Sequence, residues 1–383
     1  MRQLKRAIFS LIPVLVIVVA AEGLLRIFAK PLDPQYKSLP LPWEGAGVSQ
    51  FDDQLFWAMK PNLDVVVQKT RVRTNSLGLR TPEVEAKKPG EFRVLSLGES
   101  TTLGAGVSNE ETYSAVLADL LRDAYPGRPI TVINAGVEAY SSFQSLLYLK
   151  TRGLALQPDL VLFYHELNDY LPSSLRDSKN NEIGISKSDK QLYESKLNRL
   201  SRFLIDHSAI YGGLYYAFAR RQLNGFQKTT AQNPILAIGL PDISLPPRIR
   251  EVNDGKVAPP AQISEKKLPS RVLPEERLHN LMELKEICDR NHIPLIVLHP
   301  SYMYTGSHEC MLTQFCREQG VPMVETFSAL HPEGNLWEVW SDTVHPNAVG
   351  HKRLAELLLK KIESERMMEA RVGREPAKQQ AVQ

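Results

Sequence analysis

Asp342-Thr343-Val344-His345 sets a carboxylate and an imidazole three residues apart, a spacing that one short loop can close into a hydrogen-bonded pair. The second imidazole nitrogen then faces a hydroxyl brought in by the fold. Ser100, in Gly98-Glu99-Ser100-Thr101-Thr102 at the end of an apolar run, is the candidate. In such an arrangement the histidine takes the serine proton and the aspartate fixes tautomer and orientation, which is the chemistry of acyl transfer. Taken singly, each segment has a plainer explanation. Asp-x-x-His-Pro also describes a helix cap with a surface histidine, and Gly-x-Ser-x-Thr an ordinary strand-to-helix turn. Pro346 suits the first turn of a helix predicted over 347–362, which would pin the pair at a helix start.

Two further segments give the pair its context. Ile133-Asn134-Ala135-Gly136 ends a second apolar run and Glu166-Leu167-Asn168-Asp169 follows a third. In a parallel sheet all strand C-termini lie on one edge, where open α/β folds build their sites. A tetrahedral acyl intermediate needs donors aimed at its oxyanion. The N–H of Ser100, the N–H of Gly136 and the side-chain amide of Asn168 would supply three, with glycine at 136 allowing close backbone approach.

In this order and local context, Ser100, Gly136, Asn168 and His345 resemble the four sequence blocks of the SGNH (GDSL-like) hydrolases, with Asp342 in the acid position. The resemblance runs from about Arg93 to Ile362 and is interrupted by a long insertion. It implies a three-layer α/β/α sandwich on a parallel sheet of about five strands, flavodoxin-like in class. It also implies a serine esterase, or an O-acyltransferase using the same triad, that needs no metal and no cofactor. Two departures stand out: the first block reads Gly-Glu-Ser rather than Gly-Asp-Ser, and Glu166 replaces the glycine of the third. Glu166 adds a carboxylate near the oxyanion donors.

Other motifs fail. His165-Glu166-Leu167-Asn168-Asp169 lacks the second histidine of the zinc motif His-Glu-x-x-His, and the Gly98–Gly106 loop lacks the lysine of a phosphate loop. The serine is not in a Gly-x-Ser-x-Gly elbow. A net charge of +3 over 383 residues argues for no nucleic-acid partner. Cys310 and Cys316 could pair in an oxidising compartment, leaving Cys288 free, although unpaired thiols fit as well.

The amino-terminal 1–30 is unlike the rest. Arg2, Lys5 and Arg6 precede an apolar run, and Glu22-Gly23-Leu24-Leu25-Arg26 closes it like the retained anchors of membrane-bound SGNH proteins. The reading is a signal anchor, or a secretory signal cleaved at Val18-Val19-Ala20; either leaves the remainder outside the cytoplasmic membrane. A Pro-dotted extension, 31–92, follows; 65–74 alternates as a single strand would, before a turn at 75–80. Arg80 is either a contact for an acidic substrate group or one half of a surface salt bridge.

The catalytic domain, 93–363, alternates short apolar strands with amphipathic helices, the pattern of a doubly covered parallel sheet. Its insertion, 170–273, opens with Leu197, Leu200, Leu204, Tyr211, Leu214, Tyr215 and Phe218 at helical spacing, then turns rich in Pro and polar residues. It leaves the chain at the site edge, so a lid or substrate-selecting cap is expected. His299 ends a strand near the same edge and joins Arg80 and Glu166 as a candidate substrate contact. The tail, 364–383, is charged with few large apolar groups, as disordered segments are. The expected substrate is an acyl ester, with O-acetyl groups on an exported polysaccharide first, then lipid or short acyl esters. A catalytically silent glycan-binding protein on the same scaffold is the rival reading.

Overall fold

Five short apolar runs become the strands of one parallel sheet: β1 (Phe92–Gly98), β2 (Ile130–Gly136), β3 (Leu160–Tyr164), β4 (Leu295–Leu298) and β5 (Met323–Val324). They stand in the order β5-β4-β3-β1-β2, every pairing parallel. This is the flavodoxin-like doubly wound order, whose switch point falls at β1, between β2 and β3. The architecture is seen in a computed structural model of the chain. It describes residues 13, 16–27, 48–52, 54–67, 70–170, 174–176, 182–184, 188–194, 204, 207–211, 214, 270–303 and 309–369.

Strand periodicity explains the layers. Phe92, Val94, Ile130, Val132, Leu160, Leu162, Ile296 and Leu298 point to one face. There they meet Tyr113, Leu117 and Leu121 of α2 (Tyr113–Ala124) and Leu354, Leu358 and Ile362 of α6 (Ala348–Ser364). Leu95, Leu97, Val161, Phe163 and Val297 point to the opposite face and are equally buried. On that side His165, just past β3, bonds Ser145 of α3 (Ser142–Tyr148), and α3 packs with α5 (Pro274–Arg290). Sheet strands buried on both faces read as continuous apolar runs, as these do.

Helix starts follow their caps. Thr112 accepts from the Ala115 N–H, Ser141 and Gln144 form a reciprocal capping box, and Asn347 accepts from the N–H groups of Val349 and Gly350. Pro346 therefore precedes the last helix rather than entering its first turn. The expected single strand over 65–74 is a hairpin, Asp64–Val67 against Thr70–Arg73, because alternation continues on both arms of a tight turn. Gly78, at φ 76°, closes the following turn, and a Cβ there would lie 2.5 Å from the Met59 carbonyl oxygen.

The chain divides into two units. The sheet unit draws on Ala58–Asp169 and Pro274–Gln383; the other draws on Met1–Trp57, Tyr170–Leu240 and Ala258–Leu273. Within the second unit, the insertion shows a hairpin (Ser174–Arg176 with Glu182–Gly184) and a short helix, Asp189–Glu194. Asp189 and Arg271 form a buried ion pair at 2.8 Å, and the Arg271 guanidinium lies 5.2 Å from the centre of the Trp57 ring. Leu197, Leu200, Tyr215, Phe218, the Pro-rich stretch 228–269 and the tail from 370 lie outside the described residues. Among the described residues no helix is long and apolar enough to cross a membrane; of the expected anchor, 13 and 16–27 are described. The cysteines Cys288, Cys310 and Cys316 are free.

Candidate active site

β1 ends in Gly98, and the chain turns at once into a single helical turn, α1 (Ser100–Leu103). Ser100 is the first residue of that turn, so its N–H is one of the donors that a helix start leaves without an internal partner. The turn is wedged between two strand ends. A Cβ on Gly98 would fall 1.9 Å from Thr102 Oγ1, and one on Gly136 would fall 2.2 Å from the Leu103 nitrogen. Only glycine permits that approach on either side. Asn134 rivets the corner: its Nδ2 donates to the Thr102 carbonyl at 2.7 Å, while its Oδ1 accepts from the Gly136 N–H at 2.9 Å.

The Gly136 N–H is thus engaged by Asn134, and the missing side chain makes room for α1. The expectation for Arg80 is corrected. The residue is buried, and it donates to the carbonyls of Leu103 at 2.9 Å, Gly104 at 2.6 Å and Val107, and to Asn109 Oδ1 at 3.0 Å. Burial pulls its guanidinium down to about 10. Its donors are committed to the loop behind Ser100, so it holds the nucleophile's support and is neither a substrate contact nor a surface ion pair.

The acid–base side is one closed loop. Trp340 and Pro346 form an antiparallel bridge, the Ser341 N–H donates to the His345 carbonyl at 2.8 Å, and the buried Trp340 indole donates to the Leu330 carbonyl at 2.7 Å. Within the loop Asp342 Oδ1 accepts from the N–H groups of Val344 and His345, each at 2.8 Å. Its Oδ2 accepts from His345 Nδ1 at 2.8 Å, and His345 Nε2 lies 2.8 Å from Ser100 Oγ. Burial alone would raise the Asp342 carboxyl. The bond from His345, its charge and the two backbone donors outweigh that and hold the carboxyl below its usual range. Residues 245 apart in sequence thus form one continuous hydrogen-bonded line.

Asn168, in α4 (Leu167–Tyr170), donates one amide hydrogen to the Tyr140 carbonyl at 3.1 Å. Ala139, the residue before, sits at φ 55°, in the left-handed region where a non-glycine residue is uncommon. Sequence reasoning missed Ala139 because nothing in its type announces that conformation. It also gave no role to Asn134 or Asp169. An asparagine inside an apolar strand end was the available signal, since a buried amide must find partners. Asp169 accepts from the Ser142 N–H at 2.7 Å and pairs with Arg277 at 3.1 Å, tying α3, α4 and α5 together.

Carboxylates crowd the serine. Glu99 is buried directly before it, and its Oε2 accepts from the Asn168 N–H at 3.4 Å. Burial first, then the charges of Asp169, Glu166 and Glu138, push the Glu99 carboxyl well above the usual range. Glu166 is buried as well, and Tyr302 Oη accepts from the Leu167 N–H next to it. His165 and His299 are buried; His299 Nδ1 lies 3.4 Å from Glu325 Oε1. Among the described residues no cluster of histidine, cysteine or carboxylate side chains has the grouping of a metal site.

No curated protein is significantly similar to the sequence. Among solved structures, the chain is similar to LAE5, an alpha/beta hydrolase from the metagenome of Lake Arreo, Spain. The identity is 15% and the TM-score 0.39, over 71% of this chain and 95% of that one. It is also similar to the acetylxylan esterase Axe2 of Geobacillus stearothermophilus, with 15% identity and a TM-score of 0.38 over 71% and 94%. A lipolytic protein of the G-D-S-L family from Desulfitobacterium hafniense shows 13% identity and a TM-score of 0.37 over 70% and 98%. These likenesses are too distant to carry an argument about substrate. The family model of the GDSL-like lipases and acylhydrolases, by contrast, matches residues 94–358, a stretch that holds both Ser100 and His345. The chain belongs to that family, and it is an ester-hydrolysing enzyme of the SGNH type.

Proposed function

We propose that the protein is a serine esterase of the deacetylase type, anchored in the cytoplasmic membrane and working outside it, with O-acylated glycans as the substrate class. The observation that carries the reaction is the line Ser100 Oγ, His345 Nε2, His345 Nδ1, Asp342 Oδ2. His345 takes the hydroxyl proton as Oγ attacks the acyl carbon. The charge that forms on the carbonyl oxygen meets the Ser100 N–H and the second amide hydrogen of Asn168. Collapse breaks the ester bond, and the leaving alcohol receives the proton from His345. Water, activated by the same imidazole, then releases the acid and restores Ser100. Asp342 stays ionised and holds the imidazole in register. With a sugar hydroxyl in place of water, the same steps transfer the acyl group.

The substrate class follows from charge. Glu166 and Glu138, whose charges reach Glu99, set a negative potential beside the nucleophile. That repels acyl esters bearing phosphate or carboxylate and favours a neutral acyl group on a neutral sugar. The location follows from the cationic start and apolar run of 1–30. The test is labelling of the whole protein with a fluorophosphonate probe, beside Ser100→Ala and His345→Ala, followed by acetate release from O-acetylated glycans. Labelling that needs both residues, with acetate release lost by about 10⁵-fold or more in Ser100→Ala, is expected. Activity retained in Ser100→Ala overturns the mechanism. A folded wild type that neither labels nor turns over points to the silent glycan-binding scaffold.

A further inference from the structure

Two segments nearly two hundred residues apart are locked together in the unit that contains the amino terminus. Glu22 of the N-terminal helical segment faces the start of a helical turn in the insertion. Its Oε1 accepts from the Ala209 N–H at 2.6 Å, and its Oε2 accepts from the Ile210 N–H at 3.0 Å and from the Ser208 hydroxyl at 2.9 Å. Ser208 Oγ in turn accepts from the Tyr211 N–H at 3.1 Å. The first three donors of that turn are therefore satisfied, two of them by a carboxylate from elsewhere in the chain. Arg26 completes the clasp, pairing with Glu22 at 2.9 Å and donating to the His207 carbonyl.

The surfaces so joined are apolar and uncovered. Val16, Ile17, Val18 and Val19 are successive residues and all are exposed, as are Leu24, Leu25 and Ile27, the last at 74%. Four successive positions cover every side of a helix, so no single protein face could bury them; a helix apolar all round belongs in lipid. Leu214, just past the clasp, is 66% exposed. From Ser208 to Ala219 the sequence carries no charge but includes Tyr211, Tyr215, Tyr216 and Phe218, and Arg220-Arg221 follows. That stretch is too short to span a bilayer, and aromatic residues edged by cations suit its interface.

We propose that Glu22 and Arg26 fasten the insertion to the anchor, so that the turn at Ser208–Tyr211 and Leu214 lie in the interface of the same lipid bilayer. This rests on the anchored reading above. It also accounts for an acidic residue within an apolar anchor, because the carboxylate is fully engaged by donors from the insertion.

The experiment uses the full chain in vesicles of phosphatidylethanolamine and phosphatidylglycerol, with Cys288, Cys310 and Cys316 changed to Ser. An environment-sensitive fluorophore is placed at Val18→Cys or Leu214→Cys, and spin-labelled lipid is the quencher. Both positions are expected to be quenched. Adding Glu22→Ala should drop position 214 to the level of a water-exposed site while position 18 stays quenched. Position 214 unquenched beside a quenched position 18 overturns the proposal and leaves the anchor standing. Equal quenching at 214 with and without Glu22 overturns the clasp. An unquenched position 18 removes the anchored reading and the proposal with it.

Discussion

The two sides of the Ser100–His345 bond are built on opposite principles. On the nucleophile side everything is buried and borrowed: a single helical turn is held by glycines on two strands, an asparagine from β2 and an arginine from a preceding turn. On the acid–base side nearly everything is local. Asp342 is half exposed, and the backbone donors that position it belong to residues two and three places away. One side is placed by steric fit and the other by a self-contained hydrogen-bonded loop. The difference teaches which substitutions should damage chemistry alone and which should damage the fold with it.

The largest separation of the two is expected from Asp342→Asn. It leaves the loop's shape intact but supports the wrong imidazole tautomer, so kcat should fall by about 10⁴. Because the group is half exposed, urea midpoints should move little, by less than ~1 kcal/mol. Equal losses of activity and stability would erase the contrast. Next comes Gly136→Ala. Its methyl group must displace the backbone of α1, so about 2–4 kcal/mol of stability should go together with about 10²-fold or more in kcat. A variant that keeps full stability would show that the corner has slack, and the rigid half of the comparison would fail.

Glu99→Gln is the smallest and sharpest change. The folded protein keeps a proton on this carboxyl above pH 4.5, where the unfolded chain has lost its own. The group therefore costs stability progressively as pH rises from there. Glutamine removes the cost, so the variant should gain about 1 kcal/mol or more near pH 8 and nothing below pH ~4, with kcat changed less than about tenfold. Denaturation curves at several pH values read this directly, and a gain that is independent of pH would break the assignment.

The same division decides what the sequence could reveal. That Ser100, Asp342 and His345 meet was legible because a proton relay demands side-chain types that few others supply, and their contexts are local patterns. The five strands were legible because burial on both faces leaves continuous apolar runs. At Gly136 glycine announces close approach but not that α1 is what approaches. Arg80 and Asn134 act through carbonyls that only the tertiary fold delivers, and Ala139 takes a glycine-like conformation without being glycine. The hairpin at 64–73 hid because its two arms share one alternation. Local chemistry is written in residue types, while tertiary support is written in distances.

Arg80 has a bearing on where the enzyme begins. The strand that starts the parallel sheet invites a boundary at Phe92, but the carbonyls of Leu103, Gly104 and Val107 converge on a guanidinium supplied from before it. A fragment trimmed to the sheet would carry three buried acceptors around an empty slot, directly behind the nucleophile, each costing about 1–3 kcal/mol to leave unmet. The stretch that reads as an extension is thus the keystone of the corner, and the smallest active piece of this protein has to include it.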